Sequence, residues 1–120
     1  MRTFVAAKLH GIRVTDKAVR YHGSVSIAAE LLAAAGIAPY EQVHVVNLAN
    51  GQRWITYALP APARTFTLNG GGARLGEIGD ECVILTYRQE GAFSGAPIVF
   101  CDAQNAIREV HSYVPAASGD

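Results

Sequence analysis

The sequence predicts a small, mainly β fold with one or two short helices. Short strand-like segments follow one another along the chain, separated by glycine and proline. Asn50 followed by Gly51 separates two of these segments, and this pair is the strongest short signal for a β-hairpin. One segment, "SIAAELLAAAG" at residues 26–36, has instead the composition of a helix. Many short strands with few helices favour a small closed or nearly closed β-barrel.

Each predicted element has its own local signal. Ser26 is expected to cap the helix, Gly36 to end it, and Pro39 to prevent its continuation. Pro60 and Pro62 are expected to break the pairing of the second strand of the hairpin. The predicted strands cover residues 3–9, 12–15, 42–48, 53–59, 64–68, 82–87, 96–102 and 106–114, with His10 and Gly11 separating the first two.

Composition excludes several classes of protein. Ten basic side chains balance ten acidic ones among 120 residues, so a single domain is expected and no nucleic-acid partner is predicted. Neither a signal peptide nor a membrane-spanning segment is expected, since no long apolar run is present. Cys82 and Cys101 have neither metal-ligand spacing nor a disulfide pattern, so we expect no metal and a reducing, cytoplasmic environment.

The dipeptide formed by Gly23 and Ser24 admits two interpretations. A serine before a helix is usually a cap. Alternatively, its hydroxyl attacks the preceding carbonyl and forms an ester. Elimination then breaks the chain, and hydrolysis releases ammonia and leaves a pyruvoyl group on the new N-terminus. Glycine suits the position before the serine because it has no Cβ to obstruct attack. A pyruvoyl ketone condenses with amines and accepts electrons, as pyridoxal phosphate does elsewhere.

The neighbouring motifs decide between the two interpretations. They occur in order from residue 8 to about residue 87: "KLH" at 8–10, "VT" at 14–15, "YHGS" at 21–24, "AAGI" at 34–37, "NGQRWITYA" at 50–58, "LNG" at 68–70 and "GD" at 79–80. In this order and spacing, the sequence closely resembles the pyruvoyl-dependent aspartate 1-decarboxylases of bacteria.

The resemblance implies a fold, an assembly, a maturation step and a reaction. Such enzymes are double-psi β-barrels that assemble as homotetramers with active sites between subunits. They cleave themselves at the position of Gly23 and Ser24, which here would give chains 1–23 and 24–120, and Ser24 would become the pyruvoyl cofactor. They convert L-aspartate to β-alanine and CO2 for pantothenate biosynthesis, and in some bacteria a helper protein promotes maturation.

The resemblance also implies roles for individual residues. Thr56 would assist self-cleavage by hydrogen bonding to the Gly23 carbonyl. Tyr57 would return a proton after CO2 leaves, since a phenol is protonated at neutral pH and can donate. Arg53 and Lys8 would bind a substrate carboxylate. The remaining positions that match the lining of the family's site are Asn69, His10, Tyr21, Gly70, Gly71 and Gly72.

Two physical constraints refine these roles. Decarboxylation discharges the α-carboxylate, so a strong cation on that group would stabilise the ground state more than the transition state. Arg53 and Lys8 are therefore better used on the carboxylate that is retained. Strand alternation places Arg53 and Tyr57 on one face and Thr56 on the other, so a bend or bulge is needed if Thr56 and Tyr57 both reach the site.

Departures from the family leave the substrate open. Val46 stands where many members have tryptophan, and Gly71 and Gly72 replace alanines near the pocket. These changes widen the pocket unless another side chain such as Trp54 refills it. One alternative is therefore a pyruvoyl-dependent decarboxylase of a different amino acid in secondary metabolism. The other is an uncleaved, non-catalytic barrel that binds a ligand or partner.

Overall fold

The computed structural model describes residues 1–20 and 23–115, which form a mainly β fold with a single short α-helix. The elements in chain order are β1 (Arg2–Arg13), β2 (Asp16–Ala18), β3 (Ser24–Ala28), α1 (Ala29–Ala35), β4 (Gln42–Asn47), β5 (Arg53–Ala61), β6 (Phe66–Asn69), a 3-10 helix (Gly70–Arg74), β7 (Glu81–Glu90), β8 (Ala96–Cys101) and β9 (Ile107–Tyr113).

The described strands belong to one continuous sheet with the order β2-β6-β3-β5-β4-β7-β1-β8-β9. Most neighbours are antiparallel, whereas β1 with β8, β2 with β6 and β3 with β5 are parallel. The arrangement is consistent with the expected small β-barrel, but β2 and β9 are the two edges in this order and the sheet is not closed.

One face of the sheet carries the core. Val45, Ile84 and Leu9 are paired in register across β4, β7 and β1, and each is fully buried. The opposite face of the sheet carries Arg53 and Tyr57 of β5 and Lys8 of β1, which are exposed or partly exposed. Side chains alternate between the two faces of a strand, so this pattern follows from the register.

The hairpin predicted at Asn50 and Gly51 is confirmed. β4 and β5 are paired antiparallel from Val46 opposite Arg53 to Gln42 opposite Tyr57. Gly51 has a φ of +75°, a conformation that glycine adopts without the steric penalty of a Cβ. This hairpin carries three of the predicted site residues.

The predicted start of the helix was wrong. Residues 26–28 continue β3, and α1 begins at Ala29 with Ala28 at its N-cap and no side-chain cap. Pairing of β3 with both β5 and β6 holds Ser26 in extended backbone, so it cannot cap. The predicted end was correct, because Gly36 adopts the left-handed conformation with a φ of +71°.

The predicted break in the first strand was wrong, whereas the predicted loss of pairing in the hairpin before Pro60 is confirmed. His10 and Gly11 lie within the continuous β1, which absorbs them with a register shift between His10 and Ile12. β5 continues through Pro60 to Ala61. At Pro60 the strand is still paired with β3, but its pairing with β4 has ended at Tyr57, so the side of β5 that faces β4 does not require an N–H donor at Pro60.

None of the helices in the described ranges is long and apolar enough to span a membrane.

Candidate active site

Ser24 is the first residue of β3 and is only 2% exposed. It pairs with Asn69 of the antiparallel neighbour β6. The side-chain amide Nδ2 of Asn69 donates a hydrogen bond to Ser24 Oγ at 2.9 Å. The serine is therefore a buried hydroxyl held at the end of a strand, and the helix-cap interpretation of Ser24 does not apply.

Asn69 lies at the point where β6 ends and the 3-10 helix Gly70–Arg74 begins. Its backbone is extended with a φ of −104°, and Gly70 carries the positive φ of +63° that allows the chain to turn. The side chain is 4% exposed and also donates from Nδ2 to Ser26 Oγ at 3.0 Å. Asn69 thus contacts the hydroxyls of both serines of β3.

β5 lies on the other side of β3 from Asn69. The pairing of β3 with β5 begins at Val25 opposite Ala58 in parallel register, so Ser24 and Tyr57 each directly precede a paired residue. The β4–β5 register is unbroken from Arg53 to Tyr57. This pairing therefore has no bulge between Arg53 and Tyr57, and Thr56 remains on the face opposite Tyr57.

Tyr57 is partly buried and its ring stacks on that of Tyr40, with the centroids 6.2 Å apart and the planes 17° from parallel. Arg53 is exposed on the same face of β5 as Tyr57. Neither Arg53 nor Lys8 forms an ion pair with a carboxylate in the described ranges. Both cations are available to an anionic ligand.

Trp54 occupies the space left by one of the two glycines. A Cβ added at Gly72 would lie 2.9 Å from Trp54 Nε1, whereas a Cβ at Gly71 would meet no atom within 4 Å. Trp54 also packs against the buried core. The expectation that Trp54 refills the lost volume is confirmed at Gly72, and Gly71 remains open to solvent.

Lys8 and His10 lie elsewhere in the chain. They are on β1, which is separated from β3 by β5, β4 and β7, so Lys8 is roughly 19 Å from Ser24 measured along the sheet. Lys8 lines an open, mostly apolar groove of about 560 Å³ and donates to the Tyr113 hydroxyl at 3.5 Å. His10 lines a separate cavity of about 330 Å³. Ser24 lines neither of these two cavities.

The remaining sequence predictions concern Tyr21, a metal site and the two cysteines. Tyr21 lies outside the described residues. Within the part of the chain that the structure covers, no group of three or more His, Cys, Asp or Glu side chains could hold a metal ion. Cys82 and Cys101 are buried and free, and burial raises the pKa of the Cys82 thiol to about 12.

Two residues that contact Asn69 and Tyr57, Ser26 and Tyr40, were not predicted from the sequence as site residues. Ser26 was assigned to the helix cap, although its i, i+2 spacing from Ser24 would place both hydroxyls on one face of a strand. Tyr40 was given no role, and nothing in its local sequence indicates that it stacks on Tyr57, because the contact crosses from the α1–β4 connection to β5.

Comparison with known proteins identifies one family over most of the chain. The family model described as aspartate decarboxylase matches residues 1–108. An aspartate 1-decarboxylase from Trichormus variabilis is 50% identical, with 93% of each chain covered. One from Acaryochloris marina is 53% identical over 98% of this chain and 94% of its own, and one from Maricaulis maris is 46% identical over 88% and 92%.

Proposed function

The chain belongs to the aspartate decarboxylase family, and we propose that it decarboxylates L-aspartate at C1 to give β-alanine and CO2. It is thus a carboxy-lyase, and its product would feed pantothenate biosynthesis in the cytoplasm. The observation that carries the proposal is the buried Ser24 hydroxyl held by Asn69 directly after Gly23, at the family's self-cleavage position.

Self-cleavage begins with this hydroxyl. Ser24 Oγ attacks the Gly23 carbonyl carbon, the peptide C–N bond breaks, and the Ser24 nitrogen gains a proton, which leaves an ester. Loss of the Ser24 α-proton then breaks the Cβ–Oγ bond and releases chain 1–23 as a carboxylate. Water hydrolyses the resulting dehydroalanine, releases ammonia and leaves the pyruvoyl group on chain 24–120.

Thr56 would assist the first step. The β3–β5 register, extended by two residues, supports a position beside Gly23. A hydroxyl there would donate to the Gly23 carbonyl oxygen, where negative charge develops during attack. The absence of a bulge does not oppose this role, because Thr56 and Tyr57 would act on neighbouring residues, Gly23 and Ser24.

The residues around Ser24 fit the cofactor that it would become. A pyruvoyl ketone supplies an electron sink for the amino acid bound to it. Asn69 keeps an N–H directed at this position, and the main chain of β3 anchors it between β5 and β6. Tyr57, beside Ser24 in register and on the same face, would hold the proton that replaces CO2.

Substrate binding would involve two subunits. Arg53 offers a planar fork for the retained carboxylate and lies on the same strand and face as Tyr57. Lys8 and His10 lie four strand positions from Ser24 in the sheet and line other cavities, which supports a homotetramer whose active sites lie between subunits. In that assembly, Lys8 and His10 would come from a second copy. Gly70, Gly71, Gly72 and Tyr21 would line the same pocket.

Product analysis tests the function. Purified protein incubated with L-aspartate should release CO2 and β-alanine in equal amounts, whereas Ser24→Ala should release neither. The open space at Gly71 favours a larger amino acid as a second candidate substrate. L-glutamate and the other amino acids should therefore be offered in competition, and a product other than β-alanine formed at the highest kcat/KM would contradict the assignment of aspartate.

A further inference from the structure

Ser26 shares a strand face with Ser24. The two serines are separated by one residue on β3, and they pair with Asn69 and Thr67 of β6. Because side chains alternate along a strand, both hydroxyls project to the side on which the Asn69 side chain lies. Ser26 is thereby close to the cleavage site without being part of the bond that breaks.

The Asn69 amide uses both of its N–H groups here. Nδ2 donates to Ser24 Oγ at 2.9 Å and to Ser26 Oγ at 3.0 Å. A carboxamide nitrogen has two donors, so these two acceptors account for both. Since Asn69 is 4% exposed, a donor that lost its acceptor would have little access to water. Rotation of the amide away from Ser24 would break both bonds together.

We propose that Ser26 is a positioning residue for self-cleavage, a role that rests on the function proposed above. By accepting one N–H of Asn69, Ser26 fixes the amide so that the other N–H holds Ser24 Oγ beside the Gly23 carbonyl. A nucleophile held in one orientation reaches the attack geometry more often than a freely rotating hydroxyl.

Ser26 gains importance once the chain is cleaved. Maturation removes Oγ from residue 24, because that oxygen leaves with the carboxylate of Gly23. Asn69 then has Ser26 as its remaining acceptor of this pair. The Ser26 hydroxyl keeps the amide in place, with its second N–H directed at the group formed from Ser24.

An isosteric pair of variants tests this role. Ser26→Thr keeps the hydroxyl, whereas Ser26→Val introduces a side chain of the same shape as threonine but without the hydroxyl. The readout is the fraction of newly made chain cut into 1–23 and 24–120, followed over time by denaturing mass spectrometry. We expect Ser26→Val to cleave roughly fivefold more slowly than Ser26→Thr, as the loss of one neutral hydrogen bond predicts.

A matched control uses the opposing residue. Thr67 pairs with Ser26 on β6, and its side chain forms no hydrogen bond with Asn69. Thr67→Val removes a hydroxyl from the same region and should cleave at the wild-type rate. Equal rates for Ser26→Thr and Ser26→Val would overturn the role of Ser26, as would a Thr67→Val variant slowed as much as Ser26→Val. A wild-type chain that stays whole would instead overturn self-cleavage itself, and this role with it.

Discussion

Gly72 leaves just enough space for the Trp54 indole, because a Cβ at this position would contact the indole nitrogen. The glycine lies in the 3-10 helix directly after Asn69, and Trp54 extends from β5 to cover it. Trp54 also packs on the core, so it cannot move freely to make room. The contact between Gly72 and Trp54 therefore connects the core to the 3-10 helix that follows Asn69, the residue that holds Ser24.

Alanine substitutions at the two neighbouring glycines should separate packing from backbone effects. Gly72→Ala brings a Cβ within 2.9 Å of Trp54 Nε1 and should reduce the free energy of unfolding by about 1–3 kcal/mol, as overpacking does. Gly71→Ala meets open space and should change it by less than about 0.5 kcal/mol. Urea unfolding of both variants in the uncleaved Ser24→Ala background checks this, and equal losses would contradict it.

Single residues were only partly predictable from sequence. Ser24 is singled out jointly by the surrounding motifs, and its role in self-cleavage stays a prediction. Ser26 was assigned the wrong role, because a serine before an alanine-rich segment looks like a cap and its extended conformation depends on pairing with β5 and β6. The contact between Gly72 and Trp54 was anticipated only as one of two possibilities, since glycine leaves space without indicating what fills it.

Among the elements, β4 and β7 are joined by a buried polar contact. Asn47, the last residue of β4, is fully buried and donates to Asp80 Oδ2 at 2.9 Å and to the Leu75 carbonyl at 3.1 Å. Asp80 directly precedes β7 and also accepts from the Glu77 backbone N–H. The hydrogen bonds from Asn47 and Glu77 lower the pKa of Asp80 from its ordinary value of 3.8.

This lowered pKa predicts a loss of stability in acid. A carboxyl whose pKa is lower in the folded than in the unfolded state stabilises the fold above its unfolded pKa, and that contribution is lost as the pH falls through the folded pKa. The urea midpoint of the wild type should fall between pH 5 and about pH 3. Asp80→Asn, which cannot titrate, should show a smaller fall over this interval. An identical fall in both proteins would exclude Asp80 as a source.

Elements were predicted well where the signals are local. The β4–β5 hairpin and the end of α1 follow from Gly51 and Gly36. The continuity of β1 through Gly11 and of β5 through Pro60 could not be read from sequence, since both depend on which neighbour is paired at that point. The strand order was not predicted, because it is set by contacts between residues that are distant along the chain.

At the scale of the whole molecule, the distance between Lys8 and Ser24 is the main feature. Four strand-to-strand steps separate β1 from β3. The groove that holds Lys8 is open and is lined mostly by apolar and aromatic side chains. This separation is the observation that supports the proposed site between two copies of the chain.

Complementation between two inactive variants tests the shared site. Lys8→Ala should cleave itself but lack substrate binding, and Ser24→Ala should stay whole but keep Lys8. When the two are co-expressed, symmetric assembly should restore activity at about a quarter of the sites, those that combine Ser24 of one copy with Lys8 of another. Activity of the mixture no higher than that of the separate variants would show that each site uses one chain alone.

The mass of the purified protein under denaturing conditions is the most direct test of the central claim, that the chain makes its own cofactor. Two fragments are expected, 1–23 and 24–120, and the second should end in a pyruvoyl group without an N-terminal amine. Ser24→Ala should give a single intact mass. A wild-type chain that stays whole after prolonged warming would contradict the claim and favour a barrel that only binds a ligand or partner.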